Sequence, residues 1–118
     1  MRINVSGMVD GLIKDPTINR NRNDYVYMSG WGSHMEMAHQ YRFDKREAAK
    51  LATKLSSMTP FVARLALSEL AKRNVSTQAI GGVSLTEAAA ASLNKLASKL
   101  GSDAKFTSKT TRPLHPVG

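Results

Sequence analysis

An α+β domain, with an N-terminal β-hairpin or small antiparallel sheet followed by three helices packed on one face, is the fold this sequence predicts. Three observations predict it. Residues 24–29 (Asp-Tyr-Val-Tyr-Met-Ser) are rich in β-formers. Residues 35–43 alternate, with Met35, Met37, His39, Tyr41 and Phe43 on one face and Glu36, Gln40 and Arg42 on the other. Downstream, three stretches carry helical spacing, each opened by its own start signal.

The elements follow in order. Residues 1–23 are ambiguous. Arg2 to Val5 alternate like a short strand, whereas Met8, Val9, Leu12 and Ile13 recur at helical spacing. Asp15-Pro16 ends any helix there, because the residue before proline is pushed out of the α region. The polar run from Thr17 to Asp24 reads as a loop. Gly30-Trp31-Gly32-Ser33 separates the two β segments, and its glycines suit a hairpin turn.

The first helix opens on Asp44-Lys45-Arg46-Glu47, a capping-box pattern, and its apolar stripe is Ala48, Leu51, Ala52, Leu55 and Met58. Thr59-Pro60 opens the second, which buries residues drawn from Phe61, Val62, Leu65, Ala66, Leu67 and Leu70 and runs to about Arg73. Ser84-Leu85-Thr86-Glu87 reads as a further capping box, and Gly101 as the C-terminal cap of the alanine-rich helix that follows. Residues 75–83 leave room for one short turn before Gly81-Gly82. After Ser102 the apolar period vanishes, so the reading is one domain over 1–101 and a flexible tail over 102–118.

Composition bounds the chemistry. At 118 residues, 42% apolar and 22% charged, the chain has the make-up of one globular domain. It has no cysteine, which removes disulfides, thiolate nucleophiles and Cys-ligated metals. No secretory pattern opens the chain and no apolar run is long enough to span a bilayer, so a cytoplasmic protein without membrane contact is expected. His34, His39 and His115 show no metal-ligand spacing, the acids are scattered, and no phosphate-binding glycine motif occurs. No enzyme activity, cofactor or metal is expected. His39, within an apolar strand face, reads as a core or edge residue with one hydrogen bond satisfied.

The formal net charge of +8 is the strongest global signal, and it favours polyanionic partners. Arg42, Arg46, Lys50 and Lys54 are spaced by four, the last three along one side of the first helix, with Lys45 beside them. Cations about one turn apart suit a row of phosphates. Arg20 and Arg22 extend the patch if their loop folds against it, and Trp31 at a glycine-flanked tip suits stacking or a protein contact. The function expected is a non-enzymatic small basic binding protein that engages nucleic acid or a nucleoprotein complex through Arg20, Arg22, Trp31, Arg42, Lys45, Arg46, Lys50 and Lys54. The alternative is a viral or phage-type accessory or inhibitor protein that blocks an acidic host protein or complex through its aromatic hairpin. The sequence leaves the oligomeric state open.

Residues 67–80 (Leu-Ser-Glu-Leu-Ala-Lys-Arg-Asn-Val-Ser-Thr-Gln-Ala-Ile) resemble the helix-turn-helix of transcription regulators. The resemblance would put Ala71 in the first helix, Val75-Ser76 in the turn, and Thr77 and Gln78 at the start of the reading helix. It departs from the pattern in three ways. The turn is one residue short, Asn74 stands where glycine is usual, and Gly81-Gly82 cuts the second helix early.

Overall fold

The computed structural model describes residues 3–19, 25–29, 36–75 and 82–108. In chain order these form α1 (Val5–Lys14), β1 (Tyr25–Ser29), β2 (Glu36–Phe43), α2 (Lys45–Ser56), α3 (Pro60–Val75), β3 (Gly82–Leu85) and α4 (Glu87–Lys99).

The expected architecture is corrected on three points. The chain opens on a helix and not on a hairpin. Four helices, not three, are present among the described residues. The third correction concerns the sheet, where β2 pairs with β3 in parallel, from Gln40 opposite Gly82 to Phe43 opposite Leu85. A parallel pair needs a crossover, and α2 and α3 supply it. The fold is therefore mixed, with a three-stranded sheet in the order β1-β2-β3. β1 lies antiparallel on the far side of β2, with Tyr25 opposite Gln40 and Ser29 opposite Glu36. The turn that would make these two a hairpin, Gly30 to Ser33, lies outside the described residues.

Local chemistry explains most of the boundaries. In the ambiguous N-terminal stretch the helical period wins: Val9, Leu12 and Ile13 are buried on one face of α1, and Asn4 caps it by accepting from the Gly7 amide at 2.9 Å. Asp15-Pro16 then stops it. α2 starts in the predicted capping box, where Asp44 accepts from the first turn and Glu47 Oε1 accepts from the Asp44 amide at 3.0 Å. α3 starts at Pro60. Its core side is Ala63, Ala66, Leu67 and Leu70, while Phe61 points outward at 58% exposure.

α4 differs from its expected start. Thr86 is the cap, accepting from the Ala89 amide at 3.2 Å, because Ser84 and Leu85 belong to β3. The Thr86 amide still donates to the Phe43 carbonyl at 3.1 Å, so the strand ladder runs directly into the helix cap. Gly101 has φ of 73°, the left-handed geometry expected of a residue that closes a helix.

The core gathers Phe43, Leu51, Leu55, Leu67, Leu70, Leu93 and Ile13, all fully buried. α2 packs on α4, and α3 packs on both α1 and β3. Arg73 ties α1 to α3. Its guanidinium donates to Glu69 at 3.0 Å, to Asp10, and to the backbone oxygen and hydroxyl of Ser6 at 3.1 and 2.9 Å.

The segment after α4 makes contacts with the fold in its first part. Phe106 is 4% exposed, and two asparagines hold its backbone and that of Thr107. Asn94 accepts from the Phe106 amide at 2.8 Å and donates to its carbonyl at 2.9 Å. Asn74 accepts from the Thr107 amide at 2.8 Å and donates to the Thr107 and Val83 carbonyls at 3.1 and 3.2 Å. Phe106 and the backbone of Thr107 are thus held against the fold, and residues 109–118 lie outside the described residues.

The helix-turn-helix resemblance fails on the same residues. α3 runs unbroken through Asn74 to Val75, and Asn74 is buried against β3 instead of turning the chain. Only residues 76–81 separate α3 from β3, fewer than the two turns a reading helix needs. Thr77 and Gln78 lie outside the described residues.

Among the described residues no helix is long and apolar enough to cross a membrane.

Candidate nucleic-acid interface

α2 presents two unlike sides. Ala48, Leu51 and Leu55 face the core with Glu47, and Arg46, Ala49, Lys50, Thr53 and Lys54 face outward. The reason is periodic: positions 46, 50 and 54 recur every four residues, about 6 Å apart along the axis, opposite the apolar stripe. Lys45 is exposed at the first turn. Glu47 is the one acid of this helix, and it is turned inward into the capping box. Among the described residues Lys45, Arg46, Lys50 and Lys54 make no ion pair.

Arg42 is exposed at the end of β2, near enough to Asp44 to help keep that carboxyl ionised. The structure therefore brings Arg42, Lys45 and Arg46 around the start of α2 and continues the row through Lys50 and Lys54. Arg20, Arg22 and Trp31 lie outside the described residues, as do the side chains of Tyr25, Tyr27 and His39. The charge is not confined to α2: Lys72, Lys95, Lys99 and Lys105 are exposed on other parts of the fold. What sets α2 apart is a four-residue row of three cations, where α4 has the pair Lys95 and Lys99.

Two open grooves flank this row. One is bounded by Asp44, Lys45, Arg46, Glu47 and Ala49 at the start of α2. The carboxylates of the capping box already occupy the positive end of the helix there, so the chain supplies its own anion. The second groove, about 330 Å³, runs between α2 and the turn after α1, and is bounded by Asp15, Thr17, Ile18, Lys50, Thr53, Lys54 and Ser57. Sequence reading missed Asp15, Thr17, Thr53 and Ser57. The available signal was the polar set 50, 53, 54 and 57, which shares one helical face.

Two carboxyls near the row are held below the usual carboxylate range. Asp15 is lowered first by the Thr17 hydroxyl, which donates to it at 2.6 Å, then by the Thr17 amide at 2.8 Å, with a smaller pull from Lys54. Asp44 is lowered first by the Lys45 amide at 2.7 Å and then by the Thr86 hydroxyl at 2.9 Å, which joins the caps of α2 and α4. A depressed folded-state value means that this stabilisation is full above the unfolded value of 3.8 and is lost as pH falls through the folded one. Replacing Thr86 by valine is expected to lower stability at pH 7, and the difference from the parent protein should shrink as pH falls below 3.8. Urea melts at a series of pH values check this.

Among the described residues no three His, Asp or Glu side chains converge as metal ligands. Comparison with known protein families, with characterised proteins and with solved structures finds no match.

Proposed function

We propose that this protein is a non-catalytic binding module that holds nucleic acid, alone or within a nucleoprotein, on the outward face of α2. One observation carries the reading: Arg46, Lys50 and Lys54 form a solvent-exposed row without ion-pair partners among the described residues, while the acid of that helix is spent on its own cap. A charge kept in water and paired with nothing internal contributes little to folding. Its field is available to an external anion. Steps of about 6 Å between successive cations match the spacing of phosphates along a nucleic-acid strand closely enough for one contact per cation. Such contacts supply affinity with little base reading, and the net charge of +8 steers the encounter.

Charge reversal tests this directly. Lys50→Glu is expected to weaken binding to a mixed-sequence oligonucleotide roughly tenfold at low salt, since it removes one attractive contact and adds a repulsive one. Lys72→Glu, on α3, changes the net charge equally and should weaken binding far less. Equal losses for the two variants would show that only the overall charge matters, and would remove the site from α2.

A further inference from the structure

We infer that the groove between α2 and the Asp15–Asn19 turn selects the ribose-phosphate backbone of RNA over that of DNA, with Lys50 and Lys54 taking phosphates and Asp15 taking a ribose 2′-hydroxyl. The inference rests on the function proposed above and assigns the ligand class at that face.

Every hydroxyl bordering the groove has its hydrogen committed inside the protein. Thr53 donates to the Ala49 carbonyl at 3.0 Å, Ser57 donates to the Lys54 carbonyl at 2.6 Å, and Thr17 donates to Asp15 at 2.6 Å. These groups face the groove with lone pairs only. The donors left are the ammonium groups of Lys50 and Lys54. A ligand that satisfies this wall must bring negative charge for the lysines and hydroxyl hydrogens for the acceptors. A phosphodiester strand supplies the first, and within a sugar-phosphate backbone only the ribose 2′-hydroxyl supplies the second.

Asp15 is the acceptor best placed to discriminate. Thr17 directs both of its hydrogen bonds to one carboxylate oxygen, Oδ1, and among the described residues Oδ2 accepts none. The turn that carries it is fixed before any ligand arrives. The Asp15 carbonyl accepts from the Ile18 and Asn19 amides at 3.0 and 2.8 Å, and both of those residues are buried beneath the turn. A carboxylate beside a phosphate track repels a strand that has nothing to donate to it. Towards DNA, Asp15 is a penalty that partly cancels Lys54. Towards RNA, a charge-assisted hydrogen bond offsets that penalty.

The test uses the full chain and three oligonucleotides of one mixed sequence: RNA, DNA, and RNA methylated at every 2′-oxygen. Fluorescence anisotropy is expected to show RNA bound roughly tenfold more tightly than the other two, the size of one charge-assisted hydrogen bond. In Asp15→Asn the side-chain oxygen that receives Thr17 is retained while the charge is removed. That variant should bind DNA more tightly than the parent protein, and the preference for RNA should fall to near parity. A variant that had merely loosened the turn would lose affinity for all three strands and keep the preference. Equal binding of the three strands by the parent protein, which requires no variant to fold, overturns the inference and leaves the proposed function standing. A preference that survives Asp15→Asn overturns it as well. Absence of binding to every strand at low salt overturns the proposed function, and this inference with it.

Discussion

Replacing Asn74 by alanine is expected to destabilise the protein by about 2–4 kcal/mol, enough to remove a large fraction of the stability of a domain this size. The side chain is 2% exposed and stands where α3, β3 and the segment after α4 meet. Truncation leaves the Val83 carbonyl, itself buried, without its amide donor, and releases both backbone groups of Thr107. Thr107 is exposed and regains water, so the larger share of the loss comes from the Val83 side. Asn74→Asp discriminates further. It keeps an oxygen for the Thr107 amide but turns the donor edge into a second carboxylate oxygen that faces two carbonyls. Burial and repulsion raise the folded-state pKa of the introduced acid, so this variant should be the less stable of the two at pH 7 and should recover as pH falls. Hydrogen exchange is the second readout. The Phe106 and Thr107 amides should lose protection in either variant before the core of α3 does.

Arg73→Ala is expected to cost about 2–4 kcal/mol, through a different mechanism. The Arg73 side chain is 10% exposed, and burial alone would disfavour its charge. The hydrogen bonds it donates to Asp10 and Glu69 outweigh that and hold its pKa above the ordinary arginine value. Removing the cation leaves two carboxylates and the Ser6 carbonyl at the junction of α1 and α3 without their donor. Asp10 is 42% exposed and rehydrates, which keeps the cost below that of a fully buried pair. The contrast is Asp10→Asn, which retains an acceptor and should cost far less. Thermal melts of the two variants side by side check the ranking. Comparable losses would mean that the ion pair, and not the multiple hydrogen bonds of Arg73, joins the helices.

The stretches legible in the sequence are those where one local rule acts alone. Asp44 with Glu47, Thr59-Pro60 and Gly101 mark helix ends through chemistry that needs no distant partner. In β2, Tyr41 and Phe43 are buried and Arg42 is exposed, as alternation predicts. β3 was illegible for a physical reason. All four of its residues are buried, so no period of two is written in them, and Ser84-Leu85 before Thr86-Glu87 imitates a helix start. The contacts at Phe106 and Thr107 carry no periodic signal because their anchors are polar: two asparagine amides read backbone, and a single Phe106 supplies the apolar contact. α1 was half legible, since strand and helix periods overlap over its first turn. For the candidate site, the four-residue spacing on α2 placed Arg46, Lys50 and Lys54 on one exposed face. The polar set at 50, 53, 54 and 57 marks the α2 side of the groove beside them, but its other wall is the turn at Asp15, some 40 residues away in sequence, which no local pattern in α2 reveals.

Phosphate contact by the α2 row makes binding depend on salt in a way that counts the contacts. Binding of a mixed-sequence strand should weaken linearly on a log–log plot of affinity against salt. Three contacts, one each at Arg46, Lys50 and Lys54, give a slope of about −2 on a single strand and about −3 on a duplex. Replacing those three residues by glutamine should flatten the line by that amount. A slope near zero in the parent protein, or one that the triple substitution leaves unchanged, would show that the α2 row does not hold phosphates.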